Sequence, residues 1–507
     1  MKIKNIVIVG GGTAGWITAH QFLNKTSHRV KVTVIAAKEI PIIGVGESTT
    51  GRFHNFINSS SNILPLDEHS FLRETESTFK IGIKHSDWHT VGKSFYSPIG
   101  DNYSNARNYP HGNYDDFRIY HVANNLDYDQ TFQSQLMIHS KLPTEHNFNV
   151  AYHLDTYKVG QYLKDKALTL KSRCTYIEDQ VTDIVRNDKG FITSLVTASG
   201  KKIKGDLFID CSGKKRILMK HLTKFKSYNQ ELLVNRAIPF YIKNKPGELI
   251  KNYTHAWAQK YGWMWQIPTQ ARMGCGYVYS DNHTTPEKAQ EEIEKVLGHS
   301  IKPLADLKFE AGRLEEAWVH NVFAVGLSSG FIEPLEATSI HASLVHITHF
   351  IEHYYKEDMP FECDLLQNQY NHNIRLMWDQ IKDFIVFHYI SPRKDTFFWK
   401  DAASPKRWSA ELKNQLEIWK YRMPRQEDYQ SPGLGTTYFY GLGNVLWYQI
   451  AIGMKLLNSK IARQELMNYG LYKQIENHYT ALKKNVKNIL PTQITTNAYY
   501  ERIRNEY

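Results

Sequence analysis

Gly10-Gly11-Gly12-Thr13-Ala14-Gly15 is the stretch whose spacing defines its chemistry most sharply. A glycine at the first place permits a tight turn. One two residues later lets the backbone approach a pyrophosphate, and one three further on lets a helix pack closely on a strand. The preceding run, Ile3 to Val9, is apolar and β-branched, as suits a strand buried on both faces of a parallel sheet. The following Trp16-Ile17-Thr18-Ala19 reads as helix. Strand, glycine turn and helix in that order predict a dinucleotide whose phosphates meet the helix N-terminus. The second strand, Val30 to Ile35, ends in Ala36-Ala37 where an acidic residue would hold the ribose; Glu39 comes two positions late, so the ribose contact is unassigned.

Other residue types able to do chemistry lie further along. Ser77 to Lys84 alternates, with Phe79, Ile81 and Ile83 on one side and Lys80, Gly82 and Lys84 on the other. Taken alone, this describes lysines on a solvated strand face. Trp263 and Trp265 also alternate and face one side of a strand, the ordinary pattern of paired core aromatics. Glu336, after Pro334-Leu335, reads as a helix-start residue favoured by the dipole, and Thr338 and Ser339 open a helix running from Ile340 to Tyr354. His346, His349 and His353 share a face of that helix. Without a fourth ligand nearby they read as partly buried histidines, so no metal is expected.

The elements that must position these residues are partly visible. Lys204 to Gly213 is a strand ending in Asp210-x-Ser-Gly, which in two-domain flavoproteins returns to the first sheet. The cofactor module is then discontinuous: 1–100, an insertion at 101–150 on the substrate side, and 151–355, which carries the tryptophan pair. Amphipathic runs at Glu411 to Trp419, Val445 to Leu456 and Ala462 to Tyr469 predict a helical module over 356–507.

Several of these segments together resemble one family. Gly262-Trp-Met-Trp-Gln-Ile-Pro268, with its Trp-x-Trp-x-Ile-Pro core, is similar to the signature of flavin-dependent halogenases, the tryptophan halogenase family in particular. Gly10 to Trp16, Gly44-Val45-Gly46-Glu47-Ser48-Thr49, Phe331 to Glu336 and Ser391 to Trp399 resemble it as well, so the likeness runs to about residue 400. The resemblance implies an α/β fold: a Rossmann-like FAD-binding domain of the flavoprotein monooxygenase kind with a mostly helical substrate module. It implies FAD, used as FADH2 from a separate flavin reductase, with O2 and a halide (chloride, bromide or iodide). FAD contacts are implied at Gly10, Gly12, Thr13, Ala14, Gly15, Ala37, Val45, Glu47, Ser48, Val181, Leu327 and Ile340. Backbone N–H groups at Thr338 and Ser339 would bind the halide; Ser339 stands where the family usually has glycine, and Ala337 where it has serine.

The same resemblance makes Lys80 the essential lysine, leaving Lys84 in a second, non-catalytic basic position. An amine can hydrogen-bond hypohalous acid or form a haloamine with it, and the latter needs a neutral amine. Glu336 would partner Lys80, polarising the hypohalous acid or accepting the proton lost from the ring. Trp263 and Trp265 would partition flavin from substrate. On the substrate side, Ser97 and Ile99 stand where tryptophan-specific members place a His and a Phe. The members' paired tyrosines have no clear match between Tyr438 and Trp447, where Gly433 to Gly443 is glycine-rich. An indole, phenol or other electron-rich arene is therefore the expected substrate class. An aromatic hydroxylase is the alternative, but hydroxylases usually show Gly-Asp where this chain has Gly326-Leu327. A silent flavin-binding protein is a further alternative, disfavoured because both Lys80 and Glu336 are retained.

Composition narrows the surroundings. Among 507 residues, 42% are hydrophobic and 22% charged, a globular balance. The net charge of +11 is dispersed, with its densest runs at Lys201-Lys202-Ile203-Lys204 and Lys214-Lys215-Arg216, so a solvated basic surface is expected rather than a nucleic-acid partner. No apolar run reaches the roughly eighteen residues of a membrane span. The four cysteines, Cys174, Cys211, Cys275 and Cys363, form no CxxC, and the short apolar N-terminus reads as a strand rather than a signal peptide. A cytoplasmic protein is expected, with homo-oligomerisation left open.

Overall fold

The computed structural model describes residues 2–38, 46–59, 63–99, 115–144, 149–425, 428 and 444–505. Two compact units alternate along the chain. Met1–Ser77, Leu154–Asn229 and Glu310–Gln380 form the first; Thr78–His153, Gln230–Phe309 and Ile381–Tyr507 form the second.

The first unit is built on a six-stranded sheet in the order Trp318–Val319, Val322–Ala324, Leu207–Asp210, Asn5–Val9, Lys31–Ala36, Cys174–Glu178. All neighbours are parallel except the Trp318–Val319 hairpin edge. Ile6, Val7, Ile8 and Val9 are buried, the continuous apolar run that a strand covered on both faces requires. The strand Leu207–Asp210 does return beside the first, with Val9 opposite Asp210. Helix Thr13–Lys25 packs on Thr156–Leu168 and on Thr338–His353. A small antiparallel sheet, Val181–Arg186, Ile192–Thr197 and Lys202–Lys204, completes this unit's α/β architecture.

The second unit centres on a seven-stranded sheet: Leu307–Lys308, Arg236–Lys243, Arg272–Tyr279, Gly262–Pro268, Tyr253–Ala258, Gly82–Ser86, Ser94–Pro98. Helices Asp115–Ala123, Asn444–Gly453, Ser459–Asn468 and Tyr472–Ile489 surround a separate core that includes Phe117, Tyr120, Tyr128, Leu466, Ile475 and Tyr479. The expected helices after residue 405 start within three residues of their anticipated starts, at Ala410–Ile418, Asn444–Gly453 and Ser459–Asn468. Among the described residues no helix is long and apolar enough to cross a membrane.

Two local expectations change. Gly262–Pro268 was expected with the glycine loop, but its strand pairs with Tyr253–Ala258 and Arg272–Tyr279, and so falls in the second unit. The alternating segment Ser77 to Lys84 is not one strand. Thr78–Lys80 pairs with Ala151–Leu154; after Ile81 the chain changes partners, and Gly82–Ser86 joins Tyr253–Ala258 and Ser94–Pro98. Simple alternation therefore fails across Ile81. Lys80 is 2% exposed and Lys84 half-buried, so the reading of Lys80 on a solvated face does not hold.

Inside the first unit, His20 of Thr13–Lys25 donates from Nε2 to the Leu163 carbonyl at 2.8 Å, tying the two helices together. Burial lowers its pKa from 6.5 to about 4, the hydrogen bond opposing this in part. A folded-state pKa below the unfolded value gives stability that is complete above pH 6.5 and is lost as the pH falls towards 4. At pH 5 this one group should cost roughly 2 kcal/mol relative to pH 7. His20→Gln keeps a donor without a titration in this range. Its denaturation midpoint should therefore fall less between pH 7 and pH 5 than that of the wild type; equal falls would contradict the assignment.

Candidate active site

In the first unit, the glycine turn is shaped by what crosses it. Gly10 has φ +120°, and a Cβ there would lie 2.2 Å from the Cys211 carbonyl oxygen. A Cβ on Gly15 would lie 2.0 Å from the Gly10 oxygen. These two glycines are required by the protein itself. Gly12 is different: it has extended backbone, and nothing lies within 4 Å of the position its Cβ would take. It is also the N-cap of Thr13–Lys25, with no side-chain cap, so helix N–H groups next to Thr13 and Ala14 are left for a ligand.

Asp210 is the residue that motif reading undervalued. Its buried carboxylate accepts from the Ser212 N–H and hydroxyl (3.0 and 2.6 Å), the Ser328 hydroxyl (3.0 Å) and the N–H groups of Leu218 and Met219 (2.8 and 2.9 Å). The Asp-x-Ser-Gly pattern was the available signal. Beyond it, Gly326–Ser328 forms a 3₁₀ turn whose Gly326 has φ +71° and packs on Ala14. Leu327 is half-buried there.

Pro334–Glu336 is a second 3₁₀ turn, Ala337 is left-handed at φ 58°, and helix Thr338–His353 starts without a side-chain cap. Glu336 is 8% exposed. Thr338 is buried, and its hydroxyl has no hydrogen-bond partner among the described residues. Ser339 is half-buried and Ile340 is buried. The helix histidines are packed: burial takes His346 to about 4 and His349 to about 3, and His346 contacts the Ala324 carbonyl through Nδ1.

Of the other expected cofactor residues, Ala37 follows the strand Lys31–Ala36, Ser48 is buried in the short strand Glu47–Ser48, and burial raises Glu47 to about 7. Val181 sits in a core cluster with Val9, Ile35 and Phe208. Val45 lies outside the described residues, as do Glu39 and Gly433 to Gly443.

The second unit holds the remaining candidates. Lys80 lies in Thr78–Lys80, opposite the small buried Ala151. Its charge lies close enough to His85 and His153 to lower both, each already far below 6.5 through burial. His85 stacks on Phe95 at 4.6 Å and lies 5.6 Å from His388; neither histidine was singled out in the sequence. Trp263 and Trp265 do share a face, with ring centroids 6.3 Å apart, and Trp263 meets Trp88 at 6.5 Å. The Trp265 ring covers Gly276, where a Cβ would be 2.2 Å from it. Ser97 is buried, and its hydroxyl donates to Gln449 at 2.7 Å. Ile99 is half-buried, its N–H on the Ile81 carbonyl at 2.7 Å.

Comparison with known proteins gives this arrangement a lineage. The family model described as tryptophan halogenase matches residues 5–465. The tryptophan 6-halogenase ThaL of Streptomyces albogriseolus is 32% identical, covering 83% of each chain. Among solved structures, a tryptophan halogenase from Shewanella frigidimarina is 26% identical with a TM-score of 0.85, covering 99% of this chain and 98% of its own. Xcc4156, a flavin-dependent halogenase from Xanthomonas campestris, is 25% identical with a TM-score of 0.85, covering 99% of each chain. A buried lysine, a paired-tryptophan strand and a glycine cradle thus occur in a chain that belongs to the tryptophan halogenase family, and the protein is an FADH2-dependent halogenating enzyme.

Proposed function

We propose that this enzyme halogenates an electron-rich arene of the indole or phenol type, with Lys80 as the residue that presents the oxidised halogen to the ring. The burial of Lys80 carries this reading. A lysine amine inside a protein costs several kcal/mol to charge, and such a position on a three-residue strand is expected only where the amine is used.

FAD fits the first unit. The open space at Gly12 and the uncapped N-terminus of Thr13–Lys25 suit a pyrophosphate, with Gly10, Thr13, Ala14, Gly15, Ala37, Glu47, Ser48, Val181, Leu327 and Ile340 as the contact residues we assign. When bound, reduced FAD with O2 supplies the oxidising equivalent that converts halide to hypohalous acid. The N–H groups of Thr338 and Ser339 hold the halide at a helix N-terminus, supported by the partnerless Thr338 hydroxyl. Trp263 and Trp265 keep the arene away from the flavin. Lys80 donates a hydrogen bond to the hypohalous acid. As the carbon–halogen bond forms and the oxygen–halogen bond breaks, the Lys80 ammonium protonates the departing hydroxide to water. Glu336 is the base we assign to the ring proton, and Lys80 regains its proton from water. Relatives are named for tryptophan; here no clear match to their paired tyrosines lies between Tyr438 and Trp447, which favours recognition of the ring over that of a free amino acid's charges. A separate flavin reductase and a cytoplasmic setting complete the proposal, in keeping with four unpaired cysteines.

The test is mass spectrometry of products from a panel of indoles and phenols, with FAD, a flavin reductase, NADH and O2. Chloride, bromide and iodide are supplied separately, with catalase as a control. A halogen mass shift that requires halide and vanishes in Lys80→Met is expected. An oxygen mass shift without halide would replace this reading by an aromatic hydroxylase.

The glycines provide an independent check. Gly12→Ala should leave the melting temperature nearly unchanged, while FAD affinity falls at least about tenfold, or roughly 1.4 kcal/mol. Gly15→Ala forces a close contact with backbone and should destabilise by about 1–3 kcal/mol. Normal FAD affinity in Gly12→Ala would remove the pyrophosphate from this cradle.

A further inference from the structure

His153 lies in the strand opposite Lys80's, is fully buried, and belongs to no part of the mechanism above. Its hydrogen bonds fix its protonation. The Thr78 hydroxyl has one hydrogen, and it goes to the Pro268 carbonyl at 2.6 Å. Towards His153 Nδ1, 3.3 Å away, Thr78 therefore accepts, so Nδ1 carries the proton. Burial and the nearby charge of Lys80 keep the ring neutral. Nε2 is then a lone pair, and it accepts from the Thr254 hydroxyl at 3.0 Å. The result is a one-way chain: Thr254 to His153, His153 to Thr78, Thr78 to Pro268.

This chain joins four strands beside Lys80. Thr78 and Lys80 alternate on Thr78–Lys80 and so project to one side. Thr254 belongs to Tyr253–Ala258, and Pro268 ends the strand bearing Trp263 and Trp265. Three residues are too few to hold a strand rigidly without outside contacts. A separate support comes from the Tyr500 hydroxyl, which accepts the Phe79 N–H at 2.7 Å. Ala151 stands opposite Lys80 in the ladder.

We propose that His153, acting through Thr78, is the positioning residue for Lys80, locking the lysine strand in register with the tryptophan strand. The proposal rests on Lys80 being the halogen-presenting residue. Its chemical consequence is coupling. A displaced amine still allows halide to be oxidised, but the hypohalous acid escapes before reaching the ring.

The experiment uses full-length protein with FADH2, O2, bromide and the arene of highest wild-type turnover. It compares His153→Phe, His153→Asn, Thr78→Val and Lys80→Met. Aryl halide formed per flavin oxidised is measured together with hypohalous acid caught by an external thioether scavenger. In His153→Phe and Thr78→Val, product per flavin should fall about tenfold or more, with scavenged hypohalous acid rising and arene KM unchanged. His153→Asn, whose Nδ2–H replaces Nδ1–H, should recover most of the coupling. Wild-type coupling in Thr78→Val would overturn the proposal even if His153→Phe does not fold. So would a loss in His153→Phe that His153→Asn does not relieve. Full activity in Lys80→Met would instead overturn the reading of Lys80 itself.

Discussion

The carboxylate of Asp210 is the point on which the first unit's loops converge. An ionised carboxylate taken out of water costs several kcal/mol unless donors surround it. Here those donors come from Ser212, Leu218, Met219 and Ser328. Satisfying one buried group thus fixes both the loop after Leu207–Asp210 and the turn Gly326–Ser328 to the end of the same strand. Gly10 lies against Cys211, the next residue, and Gly326 lies against Ala14. The glycine turn, the Asp-x-Ser-Gly loop and the turn leading towards Thr338–His353 are therefore a single packed assembly, and the last two cannot shift without stripping donors from the Asp210 carboxylate.

The second unit answers a different constraint. Lys80 must be held inside, so its strand cannot continue along the half-exposed path that Lys84 follows. The change of partner at Ile81 separates the two. Before it the chain pairs with Ala151–Leu154; after it, Gly82 is hemmed in by the Ser97 carbonyl and Met137, and the strand joins the larger sheet. A polar imidazole, His153, backs the lysine strand where a core of this kind would otherwise be apolar, and its neutrality is compatible with the cation beside it.

What could be read from sequence follows the range of the forces involved. The glycine turn, its flanking strand and helix, and the last amphipathic helices are local patterns, and they appear close to where periodicity put them. The shared face of Trp263 and Trp265 is local too, and it holds. What did not show is set by pairing across long separations. Nothing near residue 262 reveals that its strand neighbours Tyr253–Ala258 and so stands with Lys80's unit, and nothing in Phe79-Lys80-Ile81-Gly82 marks the change of sheet. His153 carries no motif at all; its partners, Thr78, Thr254 and Pro268, are scattered over nearly two hundred residues. The long helix Asp364–His388 escaped because its histidines, asparagines and glutamines blur the apolar stripe.

The residues that folding explains can be separated from those it does not. Gly10, Gly15 and Gly276 are glycines because a neighbouring carbonyl or indole occupies the place of a Cβ. Among the described residues, Gly12 has no such neighbour, and neither the Thr338 hydroxyl nor the Trp265 indole N–H has a partner. Buried polar groups are normally satisfied, and glycine at an extended position carries an entropic cost, so each of these is a place where stability alone would select another residue. Gly12 and Thr338 stand at the uncapped N-termini of two helices in one unit, where anions are stabilised, and Trp265 lies on the strand that ends at Pro268. Local inconsistency of this sort is expected where a sequence serves a ligand rather than the fold, and the proposed pyrophosphate and halide are the two anions that such helix ends would take.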